Sequence, residues 1–201
     1  MSNAVQRVGM FGGAFDPPHR AHVALAQAAV RQLQLDVLHV FPTGDAWHKA
    51  RALTAAEHRL AMARLAFARL PQARVDEREL LRTGPTYSVD TLRELKAEHP
   101  GAELHLLMGE DQAAGFTRWR DWQEVAALAV LCVAERGEGA GEGLEALRAL
   151  PAVRVVALQL PRMAESATDI RARLTARQDI TELVDTAVAS YIALHFLYES
   201  P

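Results

Sequence analysis

Apolar residues follow two alternating patterns along the chain, and these patterns predict strands and helices in turn. Runs of apolar residues at helical spacing, such as Ala21–Leu33, predict helices between the strands. Strands alternating with helices are typical of an α/β fold with a parallel sheet covered on both faces. The short apolar runs that predict strands are Val5–Phe11, Val37–Phe41, Ala73–Val75, Leu104–Met108, Leu128–Ala134 and Val153–Leu158.

Capping residues predict where several helices begin. Thr54 and Glu57 form a capping box, and apolar residues continue this helix to Leu70. Ser166 is expected to start a short helix near the end of the chain. Further predicted caps are Ser88, for a helix ending near His99–Gly101, and Asp179–Glu182, for the last helix. The Gly-rich acidic segment Gly137–Gly143 is expected to be a flexible loop without a chemical role.

Composition narrows the class of protein. The chain has 201 residues, a net charge of −3 and 50% hydrophobic residues, which is the balance of a globular protein. This length predicts one domain over residues 1–201, with a C-terminal helical portion from about residue 166. A mildly acidic chain is a poor candidate for coating nucleic acid, so no nucleic-acid partner is expected.

Other features indicate a cytoplasmic protein. The single cysteine, Cys132, lies in an apolar run and is expected to be a buried, inert thiol in a reducing compartment. No apolar stretch approaches the roughly 20 residues that span a bilayer, so no membrane association is expected. The N-terminus lacks the basic and apolar regions of a signal peptide. Lysine is rare, occurring only as Lys49 and Lys96.

The segment after the first predicted strand has the features of a phosphate site. Ligands of parallel sheets bind beyond the carboxyl ends of the strands. Here Gly12 and Gly13 allow close backbone approach, and Pro17-Pro18 delays the helix until just before His19. His19 and His22 then lie on the same side of a helix N-terminus, which already favours anions.

Other interpretations of the two histidines remain open. They could bind a metal, although no third ligand at a suitable spacing is evident, so no protein metal site is predicted. They could also be ordinary capping or surface residues. The glycine spacing differs from that of a dinucleotide-binding loop.

Two motifs resemble a known superfamily. Gly12–His22 resembles the Gly-[Ser/Thr]-Phe-Asp-Pro-x-His-x-Gly-His signature of the nucleotidyltransferases that carry the HIGH motif. Ser166–Arg171 resembles the Ser-Ser-Thr-x-Ile-Arg motif of the same superfamily. The two motifs occur in the expected order near opposite ends of the chain. The resemblance implies a Rossmann-like, doubly wound parallel sheet.

The middle of the chain is similar to one branch, the bacterial nicotinate-nucleotide adenylyltransferases. The similarity runs from about Val8 to Tyr198, whereas pantetheine-phosphate adenylyltransferases share the ends and lack this middle section. The segments that carry it are Pro42-Thr43 with Lys49, His58–Leu60, Gly84–Leu92, and Gly109–Asp111 followed by Phe116, Trp119 and Trp122.

The resemblance implies a reaction in which ATP and nicotinate mononucleotide give nicotinate adenine dinucleotide and pyrophosphate. The attacking phosphate is already anionic, so catalysis consists of aligning two polyanions and neutralising charge. Mg²⁺ is expected with ATP, held mainly by phosphates and water. The partners implied are these two nucleotides, and the oligomeric state is left open.

The family pattern assigns the site residues. The implied catalytic residues are His19, His22, Lys49 and Arg171, with His22 nearest the α-phosphoryl transition state. ATP is expected to contact Gly12, Gly13, Ala14, Phe15, Gly109, Asp111, Arg136, Ser166 and Thr168. Nicotinate mononucleotide is expected to contact Thr86, Tyr87, Ser88 and Trp119, with Trp119 stacked on the ring and the helix N-terminus at Ser88 binding the carboxylate. Trp122 is expected to pack in the core, and Trp47 is a candidate lid residue.

Two alternatives stay open, and departures from the family pattern motivate the second of them. Ala14, Ala21 and Ala167 replace the usual Ser or Thr, Gly, and Ser, respectively. One alternative is an enzyme that prefers nicotinamide mononucleotide. The other is a nucleotide-sensing module that has lost turnover.

Overall fold

A computed structural model describes residues 5–44, 53–136, 141–161, 163 and 165–198 of the chain. Its centre is a sheet of parallel strands in the order β3-β2-β1-β4-β5-β6. The strands are β1 (Arg7–Gly13), β2 (Val37–Pro42), β3 (Ala73–Val75), β4 (Glu103–Met108), β5 (Ala129–Arg136) and β6 (Val155–Leu160). This is the order of a Rossmann-like doubly wound sheet, as predicted.

Helices connect the strands and cover both faces of the sheet. They are α1 (Arg20–Leu33), α2 (Ala56–Phe67), α3 (Arg78–Leu81), α4 (Ser88–Glu98), α5 (Glu110–Ala114), α6 (Trp122–Leu128), α7 (Glu142–Arg148), α8 (Ala167–Thr175) and α9 (Thr186–Leu194). A short 3-10 helix, Phe116–Arg118, precedes α6. Within the described ranges, no helix has the length and apolar character needed to cross a membrane.

The two faces of the sheet carry separate apolar cores. One core joins α1, α2, α8 and α9 to the sheet, and Phe11 of β1 belongs to it. The other core joins α4, α6 and α7 to the opposite face and contains Val8 and Met10 of β1. Alternate residues of β1 therefore point into different cores, as the period of a strand requires.

The strand order reverses its direction at β1. The chain moves outward from β1 through β2 to β3, and then returns to place β4 on the other side of β1. Phe11 is in register with Leu107 of β4, and Gly13 with Pro42 of β2. The loops after β1 and β4 therefore diverge beside each other, which opens the crevice where ligands of such sheets bind.

The predicted strands are all present, with small shifts at their ends. The last two begin at Ala129 and Val155, slightly later than predicted, and extend two residues further, to Arg136 and Leu160. Cys132 is fully buried in β5, and burial raises the pKa of its thiol to about 12, so the expectation of an inert thiol is confirmed.

The predicted capping box at Thr54 is wrong. The first helical residue is Ala56, and Ala55 occupies the N-cap position without a side-chain hydrogen bond. The Thr54 backbone is engaged elsewhere: its N–H donates to the Asp16 carboxylate at 3.3 Å, and its carbonyl accepts from Arg59 Nε at 2.9 Å. Contacts between distant segments thus override the local capping pattern.

Two other predicted caps are displaced. Tyr87 is the N-cap of α4, and Ser88 is its first helical residue. Asp179 forms a local turn by accepting from the Thr181 N–H at 2.9 Å, and α9 begins only after Asp185, whose carboxylate caps it. Ser166, by contrast, caps α8 as predicted, with its oxygen accepting from the Asp169 N–H at 3.1 Å.

Several short helices were not predicted, because too few residues carry their periodicity. These are α3, α5, α6 and α7. The last of them corrects the end of the loop predicted over Gly137–Gly143, since Glu142 and Gly143 lie in α7 and Gly143 is buried. Residues 137–140 of that segment lie outside the described residues. A Cβ at Gly143 would lie 2.5 Å from the Glu110 carbonyl oxygen, so this glycine permits close packing of α7 on α5.

Candidate active site

Two adjoining cavities open at the carboxyl edge of the sheet. The first, here called the histidine cavity, has a volume of about 350 Å³ and is lined by the loop after β1, the start of α1, the start of α5 and the start of α8. The second, here called the aromatic cavity, has a volume of about 510 Å³ and lies between the ends of β1 and β2, the start of α4 and Trp119. Both cavities are lined by Gly12, Gly13, Ala14 and Gln112, so they meet at the end of β1.

The histidine pair lies at the start of α1. His19 is the N-cap residue, and its backbone N–H donates to Nδ1 of His22 at 3.2 Å. The two rings stack with their centroids 3.7 Å apart. Because Nδ1 of His22 accepts a hydrogen bond, the neutral ring carries its proton on Nε2. His22 is therefore held as an N–H donor through Nε2.

Aromatic residues fix the orientation of the His22 ring. Phe15 meets it edge-on at a centroid distance of 5.1 Å, and Phe11 lies 6.0 Å away. Phe15 is buried and has a φ of 47°, a left-handed conformation that returns the loop toward α1. The predicted placement of both histidines at one helix N-terminus is confirmed.

Arg171 connects the two sequence motifs. From α8, its Nη1 donates to the Asp16 carbonyl at 2.8 Å, and its Nη2 donates to Thr168 Oγ1 at 3.1 Å. Arg171 and Ser166 both line the histidine cavity, whereas Thr168 supports Arg171 from within the helix. The motifs near the two ends of the chain thus come together in space.

Asp16 holds the loop in place through its carboxylate. The side chain is buried and accepts from the Tyr198 hydroxyl at 2.7 Å and from the Thr54 N–H at 3.3 Å. These bonds join the loop after β1 to the segment before α2 and to the end of the described chain. A role in fixing this loop accounts for Asp16.

The loop after β4 forms the far wall of the histidine cavity. Gly109, Glu110 and Asp111 line it, and Asp111 is exposed to the cavity. Glu110 Oε1 accepts from the Leu144 N–H at 3.0 Å, which ties α5 to the start of α7. Arg136 is the last residue of β5, and its side chain is outside the described part of the structure.

The aromatic cavity contains the residues predicted for the pyridine nucleotide. Thr86, Tyr87, Ser88 and Trp119 all line it. Trp119 packs on Phe116 at a centroid distance of 5.6 Å, which leaves it half-buried at the cavity wall. Tyr87 and Ser88, at the N-terminus of α4, line this cavity, and the dipole and N–H groups of a helix N-terminus favour an anion.

Thr86 presents a buried polar atom to the same cavity. Its Oγ1 is shielded from solvent and has no hydrogen-bond partner among the residues that the structure describes. A buried hydroxyl without a partner is unfavourable, which is typical of a group reserved for a ligand.

Several residues that the structure places at the site were not assigned by the sequence interpretation, and four of them are charged residues at the aromatic cavity or bonded to the loops that line it. Arg59 is buried and donates from Nη1 to the Ala14 and Thr43 carbonyls, at 3.0 and 2.8 Å, so it joins the loops after β1 and β2. Its position beside His58 was noted only as part of the family resemblance. The other three line the aromatic cavity and are Glu79, Arg118 and Arg120.

No local pattern marks Glu79, Arg118 or Arg120. Glu79 lies in the four-residue helix α3, which is too short for periodicity to separate a buried carboxylate from an exposed one. Arg118 and Arg120 belong to a chain rich in arginine. The Arg120 guanidinium lies 4.6 Å from the centroid of the Tyr87 ring, a cation–π contact that holds it at the cavity wall.

Two predicted residues lie outside the described part of the structure, namely Lys49 and Trp47. Among the described residues, no three His, Cys, Asp or Glu side chains lie close enough together to hold a metal.

Comparison with known proteins agrees with the geometry. The cytidylyltransferase-like family matches residues 10–173. A protein of Albidiferax ferrireducens named "Probable nicotinate-nucleotide adenylyltransferase" is 54% identical over 98% of this chain and 100% of its own length. A protein of the same name from Bordetella petrii is 43% identical over 96% of this chain and 100% of its own.

A solved structure shares the fold. Nicotinic acid mononucleotide adenylyltransferase of Plasmodium falciparum, solved in complex with NaAD, superposes with a TM-score of 0.77 at 19% identity, covering 96% of this chain and 97% of that one. The same enzyme in complex with APC gives a TM-score of 0.76. From the paired motifs, the sheet order and these relatives, we conclude that the chain belongs to the nicotinate-nucleotide adenylyltransferase family of cytidylyltransferase-like proteins.

Proposed function

We propose that this protein transfers the adenylyl group of ATP to nicotinate mononucleotide, giving nicotinate adenine dinucleotide and pyrophosphate. One observation carries the proposal: two cavities of different chemical character meet at Gly12-Gly13-Ala14. A reaction that joins two nucleotides needs two binding sites whose reacting phosphates come together at one point. The relatives named above support the choice of substrates.

ATP occupies the histidine cavity in this proposal. The glycines at the end of β1 allow the phosphates to approach the backbone, and His19 and His22 donate to them. Arg171 and Ser166 hold the triphosphate from the start of α8, and Thr168 supports Arg171. Gly109 and Asp111 face the ribose, and the Asp111 carboxylate accepts hydrogen bonds from the ribose hydroxyls. From the sequence alone, Lys49 is assigned to the substrate phosphates and Arg136 to ATP.

The chemical step needs alignment more than acid–base catalysis. A phosphate oxygen of nicotinate mononucleotide attacks the α-phosphorus of ATP, and the bond from this phosphorus to the bridging oxygen breaks, so that pyrophosphate leaves. No proton has to be removed from the nucleophile. The Nε2–H of His22, fixed by the bond at Nδ1, stabilises the negative charge that develops on the α-phosphoryl oxygens.

Mg²⁺ enters with ATP as part of the substrate. Mg²⁺ bound to a nucleotide usually takes its oxygen ligands from phosphates and water, and this is the coordination that we propose here.

Nicotinate mononucleotide occupies the aromatic cavity. Trp119 stacks on the pyridine ring, and the backbone N–H groups at Tyr87 and Ser88 bind the ring carboxylate at the N-terminus of α4. Thr86 Oγ1 gains a hydrogen-bond partner when the substrate binds. These contacts favour the acid over the neutral amide.

Formation of pyrophosphate and dinucleotide from purified protein tests this proposal. We expect both products in equal amounts when ATP and nicotinate mononucleotide are present together, and neither product when one substrate is omitted. Binding of both nucleotides without product would instead favour the sensing module suggested by Ala14, Ala21 and Ala167.

A further inference from the structure

Glu79 lies in the wall of the aromatic cavity, and its carboxyl group has no role in the mechanism above. Its residue is only 3% exposed. Thr91 Oγ1 donates to Glu79 Oε1 at 2.7 Å, and Arg82 Nη1 donates to the same threonine oxygen at 2.8 Å. Because Thr91 lies in the first two turns of α4, Glu79 is tied to the helix that faces the substrate carboxylate.

Close packing keeps Glu79 at the cavity. A Cβ at Gly44 would lie 2.1 Å from the Glu79 carbonyl oxygen and 2.9 Å from Thr86 Oγ1. The turn just after β2 therefore packs closely against both residues, and Gly44 is required for this close approach. Glu79 and the buried hydroxyl of Thr86 thus belong to one packed wall.

The charged groups around Glu79 offset the negative charge of its ionised carboxyl only in part. On its own segment it has Arg82 and Asp76, and Arg82 also pairs with Glu94 of α4 at 2.7 Å. Tyr87 at the start of α4 and Arg118 and Arg120 beyond α5 line the same cavity. Burial raises the pKa of Glu79 to about 7, against the opposing effects of the Thr91 hydrogen bond and Arg82.

We propose that Glu79, through the protonation state of its carboxyl group, controls how well the aromatic cavity binds the acid substrate. A neutral Glu79 admits the nicotinate carboxylate, whereas an ionised Glu79 adds a like charge to the same enclosed space and weakens binding. The proposal rests on the function proposed above and assigns Glu79 as a positioning and specificity residue, not a catalytic one.

The direction of the effect follows from the two carboxyl groups. With its pKa raised by burial to about 7, Glu79 is expected to lose its proton as the pH rises through that value, while the substrate carboxylate is anionic throughout. The KM for nicotinate mononucleotide therefore rises as the pH increases through 7. Nicotinamide mononucleotide carries the same phosphate without the ring carboxylate, so its KM changes less.

Steady-state kinetics of Glu79→Gln tests the proposal. Glutamine keeps an oxygen that accepts from Thr91, but it cannot ionise. In the unmodified protein we expect the KM for nicotinate mononucleotide to rise about tenfold between roughly pH 6 and 9, as for one added like-charge contact. In the variant we expect a KM that stays near the low-pH value, with the KM for ATP unchanged. Glu77→Gln, an exposed carboxylate two residues away that pairs with Arg64, is the matched control and should keep the rise.

A binding measurement on the unmodified protein does not depend on whether the variant folds. Titration calorimetry near pH 8 in buffers of different ionisation enthalpy should show uptake of about half a proton per nicotinate mononucleotide bound, as a tenfold linkage requires, and clearly less for the amide nucleotide. A rise of KM in Glu79→Gln equal to that of the unmodified protein, or equal proton uptake with both nucleotides, would overturn the proposal. Failure to form dinucleotide would refute the proposed function instead, because the calorimetry measures binding alone.

Discussion

The two cavities offer different chemical groups to a ligand. The histidine cavity presents hydrogen-bond donors. His22 and Arg171 are held in place by hydrogen bonds to the backbone of the loop after β1. The aromatic cavity presents Trp119, a helix N-terminus and a buried carboxyl. The first cavity thus suits charge spread over several phosphate oxygens, and the second suits a flat ring with a single charge.

The difference shows how a chain of net charge −3 can bind two polyanions. Donors concentrated at the start of α1 and α8 serve the triphosphate without any overall positive charge. In our proposal, selection between the acid and the amide ring depends instead on the single carboxylate of the substrate ring. A buried carboxyl such as Glu79 has a large influence on the binding of that charge. Variants at the two cavities should therefore separate turnover, ATP affinity and ring selectivity.

The largest effect is expected from His22→Ala. Removing one fixed donor to the developing charge should lower kcat about 10²- to 10³-fold, with a much smaller change in ATP affinity. Stopped assays of pyrophosphate release, together with ATP titration, measure the two quantities. His195→Ala, an exposed histidine outside both cavities, is the control. Nearly unchanged turnover in His22→Ala would show that another group stabilises the transition state.

Arg171→Lys should act mainly on ATP. Lysine cannot keep the bonds to the Asp16 carbonyl and Thr168 Oγ1 while also facing the phosphates. We expect the KM for ATP to rise about tenfold, with the KM for nicotinate mononucleotide within twofold of its normal value. Arg173→Lys, on the same helix and paired with Asp169, provides the comparison and should change neither constant. An equal rise for both substrates would mean that Arg171 serves the two cavities together.

Trp119→Ala should act on the other cavity. Loss of ring stacking, worth roughly 1–2 kcal/mol, should raise the KM for nicotinate mononucleotide about tenfold and leave that for ATP nearly unchanged. Trp122→Phe is the matched control, because Trp122 packs on Phe116 and does not line the cavity. If the two variants have the same kinetics, Trp119 is a packing residue only.

Thr86→Val should produce the smallest effect. Valine has a similar shape and removes a buried hydroxyl that lacks a partner in the described structure, so the melting temperature should stay the same or rise. The KM for nicotinate mononucleotide should increase roughly threefold to tenfold, because one hydrogen bond to the substrate is lost. Thr117→Val, at an exposed position, controls for the substitution. A lower melting temperature with unchanged KM would assign Thr86 to structure.

The histidine cavity could be predicted from the sequence better than the aromatic cavity. Its residues lie in two contiguous motifs at the starts of helices, so His19, His22 and Ser166 take positions that local rules determine. The position of Arg171 against Asp16 follows once the sheet brings the two ends of the chain together.

The aromatic cavity depends on contacts that no local pattern contains. Glu79 lies in a single helical turn, and its burial results from the packing of α3 against α4 and Gly44. Arg59 is buried for a similar reason, since it satisfies carbonyls of loops that are separated in sequence. The wrong cap at Thr54 has the same cause, because Asp16 and Arg59 determine the conformation there.

The ratio of kcat/KM for nicotinate mononucleotide to that for nicotinamide mononucleotide, measured near neutral pH, tests the central claim most directly. The account predicts a ratio above about ten, because the N-terminus of α4 gains a charge-assisted contact with the acid alone. A ratio of one or below, with dinucleotide formed from the amide, would contradict the assignment of the aromatic cavity as an acid-selective site.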